Sequence, residues 1–177
     1  SRIAGTIALA GAPIVDAKIM TLSNGMALDT FWIQDSQGGA FESPERLQKL
    51  KIRIEEALSG RLNTAQKLEQ LRDHMPPRRT RVFKVPPHVL VDNKLSRVHT
   101  VIELNGRNRV GLLHDVTSAI TSLGLQISSA HISTYGVRVV DVFYVKDIFG
   151  LKIENKEKHQ AIRESLLAVL SPPVGKV

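Results

Sequence analysis

The sequence predicts an α+β protein built from two copies of one unit, each with helices against an antiparallel sheet. Three observations carry this. The chain repeats itself at a spacing of about 112 residues. Its apolar pattern switches repeatedly between the two-residue period of strands and the 3.6-residue period of helices. Glycine, proline and asparagine sit at the switches, where turns and caps need them.

The repeat is read by laying IALAGAPIVDAKIMT (residues 7–21) over ITSLGLQISSAHIST (residues 120–134). Gly11, Ile14, Ala17, Ile19 and Thr21 then match Gly124, Ile127, Ala130, Ile132 and Thr134. With one residue dropped, DTFWIQDSQG (residues 29–38) lies over DVFYVKDIFG (residues 141–150). Asp29, Phe31, Asp35 and Gly38 match Asp141, Phe143, Asp147 and Gly150, and Trp32 meets Tyr144. Self-similarity at this density marks a duplicated structural unit.

In the second copy VHTVIEL (residues 98–104) alternates and is β-branched, so it reads as a strand. Residues 111–123 read as a helix, with Leu113, Val116, Ile120 and Leu123 at helical spacing. Gly124 is placed to stop it in the left-handed conformation. LQISSAHIST and VRVVDVFYVK are two further strands, hairpinned through Tyr135 and Gly136. Asn155 caps a last helix with Ile162, Leu166, Leu167 and Leu170 on its apolar face, and Ser171-Pro172-Pro173 ends it.

In the first copy Ile3, Ile7 and Ala10 belong to the end of a helix. Asn24-Gly25 predicts a type I′ hairpin. Ser43-Pro44 opens a helix whose stripe is Leu47, Leu50, Ile54 and Leu58, stopped by Gly60. A further helix over residues 65–73 has no counterpart in the second copy. Pro76 and Pro77 break the chain, and RVFKVPPHVLV is expected to close the first unit as a strand. The order is the ferredoxin-like βαββαβ arrangement. The first unit, residues 1–92, lacks its N-terminal strand and contains an extra helix and linker at about 60–82; the second is residues 97–177. The opening at Ser1, inside a helical pattern, reads as a segment of a longer chain.

Composition narrows the function classes. With no cysteine there is no disulfide, thiol nucleophile or cysteine-bound zinc, which fits a reducing, cytoplasmic setting. No signal peptide opens the chain and no apolar run reaches a membrane span, so no membrane partner is expected. The net charge of +7 centres on Arg78, Arg79 and Arg81. No aromatic residues interleave with them, so a solvated linker is expected and no nucleic-acid partner. The six histidines lack the H-x-x-x-H spacing of a metal site. Gly106 and Gly111 have phosphate-loop spacing without the lysine that must follow. His114-Asp115 reads as an ordinary helix-surface pair, Trp32 and Tyr144 as packing residues. No catalytic residue is expected.

NGRNRVGLLHDVTSAITSLGLQISSAHIST (residues 105–134) resembles ACT domains, small regulatory modules that bind amino acids. The ordered set of this segment, IVDAKIMTLSNGMALDTFWIQD, FKVPPHVLVDNKLSRVHTVIELNGR and ISSAHISTYGVRVVDVFYVKDIFGLKI is similar to the C-terminal ACT pairs of bacterial bifunctional uridylyltransferase/uridylyl-removing enzymes. The resemblance implies a glutamine-sensing module. It would act on the catalytic domains of the same chain, which modify the PII nitrogen-signalling protein using Mg or Mn. No cofactor is expected in the segment itself. It also implies ligands held between two units, by the loop of one and the second strand of the other. The implied positions are Asn105, Asn108, Gly111, Leu112 and Leu113, then Gln126, Ile127 and Ser128, with Ala12, Ile14 and Asp16 from the first copy. Asn108 stands where the family usually has aspartate, and Val110 where it has proline, so a salt bridge to a ligand ammonium becomes a neutral hydrogen bond. Asp29 and Asp141 read as strand-end carboxylates on the solvent face or as polar support for the ligand edge. The alternative function is an assembly module that forms homodimers through its sheets and binds no metabolite.

Overall fold

A computed structural model describes residues 1–75 and 85–171. The elements are α1 (Arg2–Leu9), β1 (Ile14–Thr21), β2 (Ala27–Ile33), α2 (Pro44–Leu58), α3 (Thr64–Asp73), β3 (His88–Asp92), β4 (Thr100–Arg107), α4 (Leu112–Ser122), β5 (Leu125–Tyr135), β6 (Arg138–Asp147) and α5 (Lys156–Leu170). All six strands form one sheet in the order β2-β1-β5-β6-β4-β3. The Arg78, Arg79 and Arg81 cluster and Pro172-Pro173 lie outside the described residues.

The repeat is visible in the geometry. Gly11 and Gly124 both end a helix at positive φ, +67° and +72°. Asp35 accepts hydrogen bonds from the Gln37 and Gly39 amides, and Asp147 accepts the same pair from Phe149 and Leu151. These are Asx turns, which explains why each aspartate is matched with a glycine three residues later. Asn155 caps α5 by accepting from Lys158 N–H at 2.8 Å.

The two units join through β1 and β5, which pair antiparallel. Lys18 lies opposite His131, its own repeat equivalent, while Ala17 faces Ile132 and Ile19 faces Ala130. The junction is therefore a pseudo-two-fold, a self-complementary contact between halves of one chain. Thr21 and Thr134 seal its two ends reciprocally: Thr21 donates to Ile127 O at 2.9 Å and Thr134 to Ile14 O at 3.1 Å.

Helices α1, α4 and α5 cover one face of the sheet, and α2 and α3 pack on α1. Between the layers sit Ile102, Leu104, Phe143 and Val145 from the sheet, Val116 and Ile120 from α4, and Ile162 and Leu166 from α5, all fully buried. Each such side chain contributes about 1.5–3 kcal/mol by leaving water.

Four expectations change. Residues 88–92 do not close the first unit: β3 pairs with β4, completing the second unit's edge. Antiparallel strands that follow one another with a short connection pair locally, and residues 93–99 are such a connection. The Asn24-Gly25 turn is not type I′, because only Gly25 has positive φ (+82°); Asn24 instead accepts from Met26 N–H. Leu47 and Leu58 of α2 are exposed, because the covered side of the helix carries Leu50 and Ala57 instead. Trp32 is 44% exposed on the sheet's uncovered face, beside Lys18.

Helix α1 crosses α4 closely at Gly5. A Cβ there would stand 2.7 Å from His114 Cδ2 and 3.2 Å from Thr64 Cβ. Gly5→Ala gains about 1 kcal/mol of helix propensity but forces this contact apart, which costs about 1–3 kcal/mol. Urea denaturation is expected to show a net loss of stability; a gain would mean that α1 is not seated on α4.

A candidate ligand site at the junction of the two units

The site is built around the loop that joins β4 to α4. Gly111 has φ +73°, a conformation that L side chains rarely adopt, and turns the chain into α4. A Cβ on Gly111 would also run into the Arg72 guanidinium and press on Leu68 at 3.2 Å. The loop is held from three sides. Arg72 Nε of α3 donates to Val110 O at 3.2 Å. The Asn108 N–H donates to Val137 O in the β5–β6 hairpin at 2.8 Å. Arg109 Nη2 donates to Val169 O of α5 at 3.0 Å.

Asp115 ties these supports together. Its Oδ2 lies 2.5 Å from Arg109 Nη1 and 2.9 Å from Arg72 Nη2, and its Oδ1 lies 3.1 Å from His114 Nδ1. Burial pushes the Asp115 carboxyl up, but hydrogen bonds from His114 and Arg109, the Arg109 charge and Arg72 outweigh it and hold it at about 2. His114 is therefore no surface residue. It is 7% exposed, roofed by Gly5 because α1 of the first unit lies across α4.

Behind the loop is a cavity of about 590 Å³, within the range of small-molecule sites. Asn108, Gly111, Leu112 and Leu113 line it from the second unit, Ala12 and Ile14 from the first. Six of the eleven implied positions thus converge. The amino-terminal end of α4 opens into it, where backbone N–H groups favour an anion.

The other five lie elsewhere. Asn105 neighbours Leu104, which is turned into the core, so its side chain points to the opposite face. There it donates to Glu103 and accepts from Arg138 Nη2 at 2.8 Å. Asp16 alternates with the core residue Ala17 and likewise faces away, between Trp32 and Ser133. Gln126, Ile127 and Ser128 are at the end of β5 away from this cavity. Because β1 runs antiparallel to β5, the start of β1 meets the end of β5, and the cavity receives Ile132 and Thr134. Residues 126–128 are the repeat equivalents of residues 13–15, so they occupy the symmetry-related position.

Asp141 joins the cavity from β6. It is 2% exposed, in an inward row between Val139 and Phe143, and not on the solvent face. Burial pushes its carboxyl up to about 7, against one opposing hydrogen bond from the Ser133 backbone N–H. Its Oδ1 has no hydrogen-bond partner among the described residues.

Comparison with known proteins agrees with this architecture. Residues 96–171 match the ACR family N-terminal ACT domain. Over 98% of its length the chain is 57% identical to a bifunctional uridylyltransferase/uridylyl-removing enzyme of Gluconobacter oxydans and 58% identical to one of Azospirillum brasilense. Over 99% it is 51% identical to that of Rhodospirillum rubrum.

Residues 96–171 belong to the ACT-domain family.

The chain spans only 18–19% of the length of these relatives. The matched ACT unit begins before β4 and ends with α5, so it contains the loop, α4, Asp141, Asp115 and Arg109, but not Arg72. Among the described residues no group of three or more metal-ligating side chains occurs, and no helix is long and apolar enough to cross a membrane.

Sequence reasoning missed Arg72, Arg109 and the cavity position of Asp141. Arg72 lies on the helix that has no repeat counterpart, so the duplication carried no information about it. Asp141 shares its parity with Val139, Phe143 and Val145, a core row, but Val140, Val142 and Tyr144 make the other row apolar too. The alternation that would have assigned its face is absent.

Asp115→Asn is expected to lower stability by about 2 kcal/mol at pH 7, between the surface and the fully buried ion-pair limits. The folded carboxyl lies below its ordinary value of 3.8, so its contribution is present above that pH and lost as pH falls toward 2. Urea unfolding of both proteins at pH 7 and near pH 2 is expected to show the difference shrink at the lower pH.

Proposed function

We propose that this chain is an amino-acid sensor with glutamine as its ligand. The observation that carries the reading is the cavity shared by both units, bounded by the Asn108–Gly111 turn, the start of α4 and the beginning of β1. A carboxylate suits the α4 end, where backbone N–H groups face the cavity. Ser36, Asn108 and Thr134 offer neutral hydrogen bonds suited to an amide. In longer proteins of the uridylyltransferase/uridylyl-removing type, the module would bias two opposed activities toward PII, addition and removal of a uridylyl group. It can do so only if glutamine binds one arrangement of the two units better than another. The joint construction of the cavity supports that requirement, because any shift between units changes its walls.

Titration calorimetry with glutamine, with glutamate as the control, tests this reading. Saturable heat with glutamine at or below millimolar concentration, and weaker binding of glutamate, is expected. No heat at millimolar glutamine contradicts it. An assembly role draws on a different feature, strand β2 at the end of the sheet with exposed Leu28 and Trp32.

A further inference from the structure

We propose that Asp141 receives the α-ammonium of the bound amino acid, supplying from the sheet the negative charge that the loop lacks at Asn108. The inference rests on amino-acid binding in the cavity and goes beyond it by assigning the charge that selects the ligand class.

An aspartate at this position is costly. Its cross-strand neighbours are Ile132 and Leu104, both in the core, and Val139 and Phe143 flank it on the same face. A carboxylate so placed must be paired or give up its charge. No described cation holds its carboxyl down, and the Ser133 amide alone supports it. Its Oδ1 is buried without a partner among the described residues, and Asp141 lines a cavity whose wall is mostly apolar. The guanidinium of Arg109, which also lines the cavity, is bound to Asp115 and Val169 O.

The cavity is therefore polarised. One part has the α4 amino terminus, which favours an anion. Another has Asp141, which favours a cation. A zwitterion satisfies both, and its ammonium would restore full ionisation of Asp141 by giving the buried carboxylate its missing partner. The repeat counterpart is placed similarly, although the Ser1 ammonium lies near it. Asp29, the counterpart of Asp141, has a buried Oδ1 without a partner among the described residues and lines a second cavity of about 340 Å³. Burial raises its carboxyl as well.

The test compares glutamine with 4-carbamoylbutanoate, which keeps the amide and carboxylate but has hydrogen in place of the amine. Calorimetry at pH 7.5 is run on the whole chain and on Asp141→Asn, a neutral isostere that removes the desolvated charge and is expected to fold. In the unsubstituted protein, the analogue is expected to bind roughly 10- to 100-fold more weakly than glutamine, the range of a hydrogen bond to a charged group. Asp141→Asn is expected to weaken glutamine by a similar factor and to leave the analogue unchanged. A merely structural role would weaken both ligands alike, and that outcome overturns the proposal, as does undiminished glutamine binding by the variant. If glutamine fails but a thermal-shift screen finds another α-amino acid, the choice of glutamine is wrong and the same comparison on that amino acid decides the role of Asp141. No stabilisation by any α-amino acid overturns the assignment of Asp141 together with the sensor reading.

Discussion

The antiparallel pairing of β1 with β5 is the constraint on which the rest of the structure depends. It is centred on Lys18 and His131, and it turns two similar half-sheets into one continuous surface. Because the pairing is a pseudo-two-fold, it carries α1 onto α4 and brings residues 11–14 opposite the loop before α4. Neither unit alone encloses the cavity. Small residues make the approach possible: Ala17 and Ala130 sit at the junction in the core row, and Gly5 allows α1 to reach His114.

A second layer of interactions fixes the loop itself. Glycine alone meets the backbone demand at residue 111, and the Arg72–Asp115–Arg109 cluster then connects α3, the loop and α5. These charges are half-buried, so their attraction is screened less than at the surface and their loss leaves partners unsatisfied. Asp115 is fully paired and does not line the cavity, although its partner Arg109 does. Inside the cavity, Asp141 is left with an unpaired oxygen. Two carboxylates on one unit, one held at about 2 and the other pushed up to about 7, mark the division between scaffold and candidate site.

Much of this was legible in the sequence, because the matched residues are geometric necessities. Gly11 and Gly124 cap helices, Asp35 and Asp147 build the same turn, and Thr21 and Thr134 close the junction. Six implied ligand positions reached the cavity because a loop and a strand start are local features. The failures have a common origin. A strand pattern shows that residues 88–92 extend but not which strand they join, and the pairing with β4 assigned them to the other unit's edge. Asn105 was recoverable from parity, since Leu104 is a core residue. Residues 126–128 were not, because a repeat alone does not say which of two symmetry-related edges meets which loop.

A glutamine titration followed residue by residue in ¹H–¹⁵N NMR spectra tests most directly whether the junction makes the site. Shifts are predicted for the amides of residues 108–113 and of Gly11, Ala12 and Ile14 together, with Asp141 among those that move. An unchanged spectrum, or shifts centred on residues 126–128 without the loop, would contradict the account.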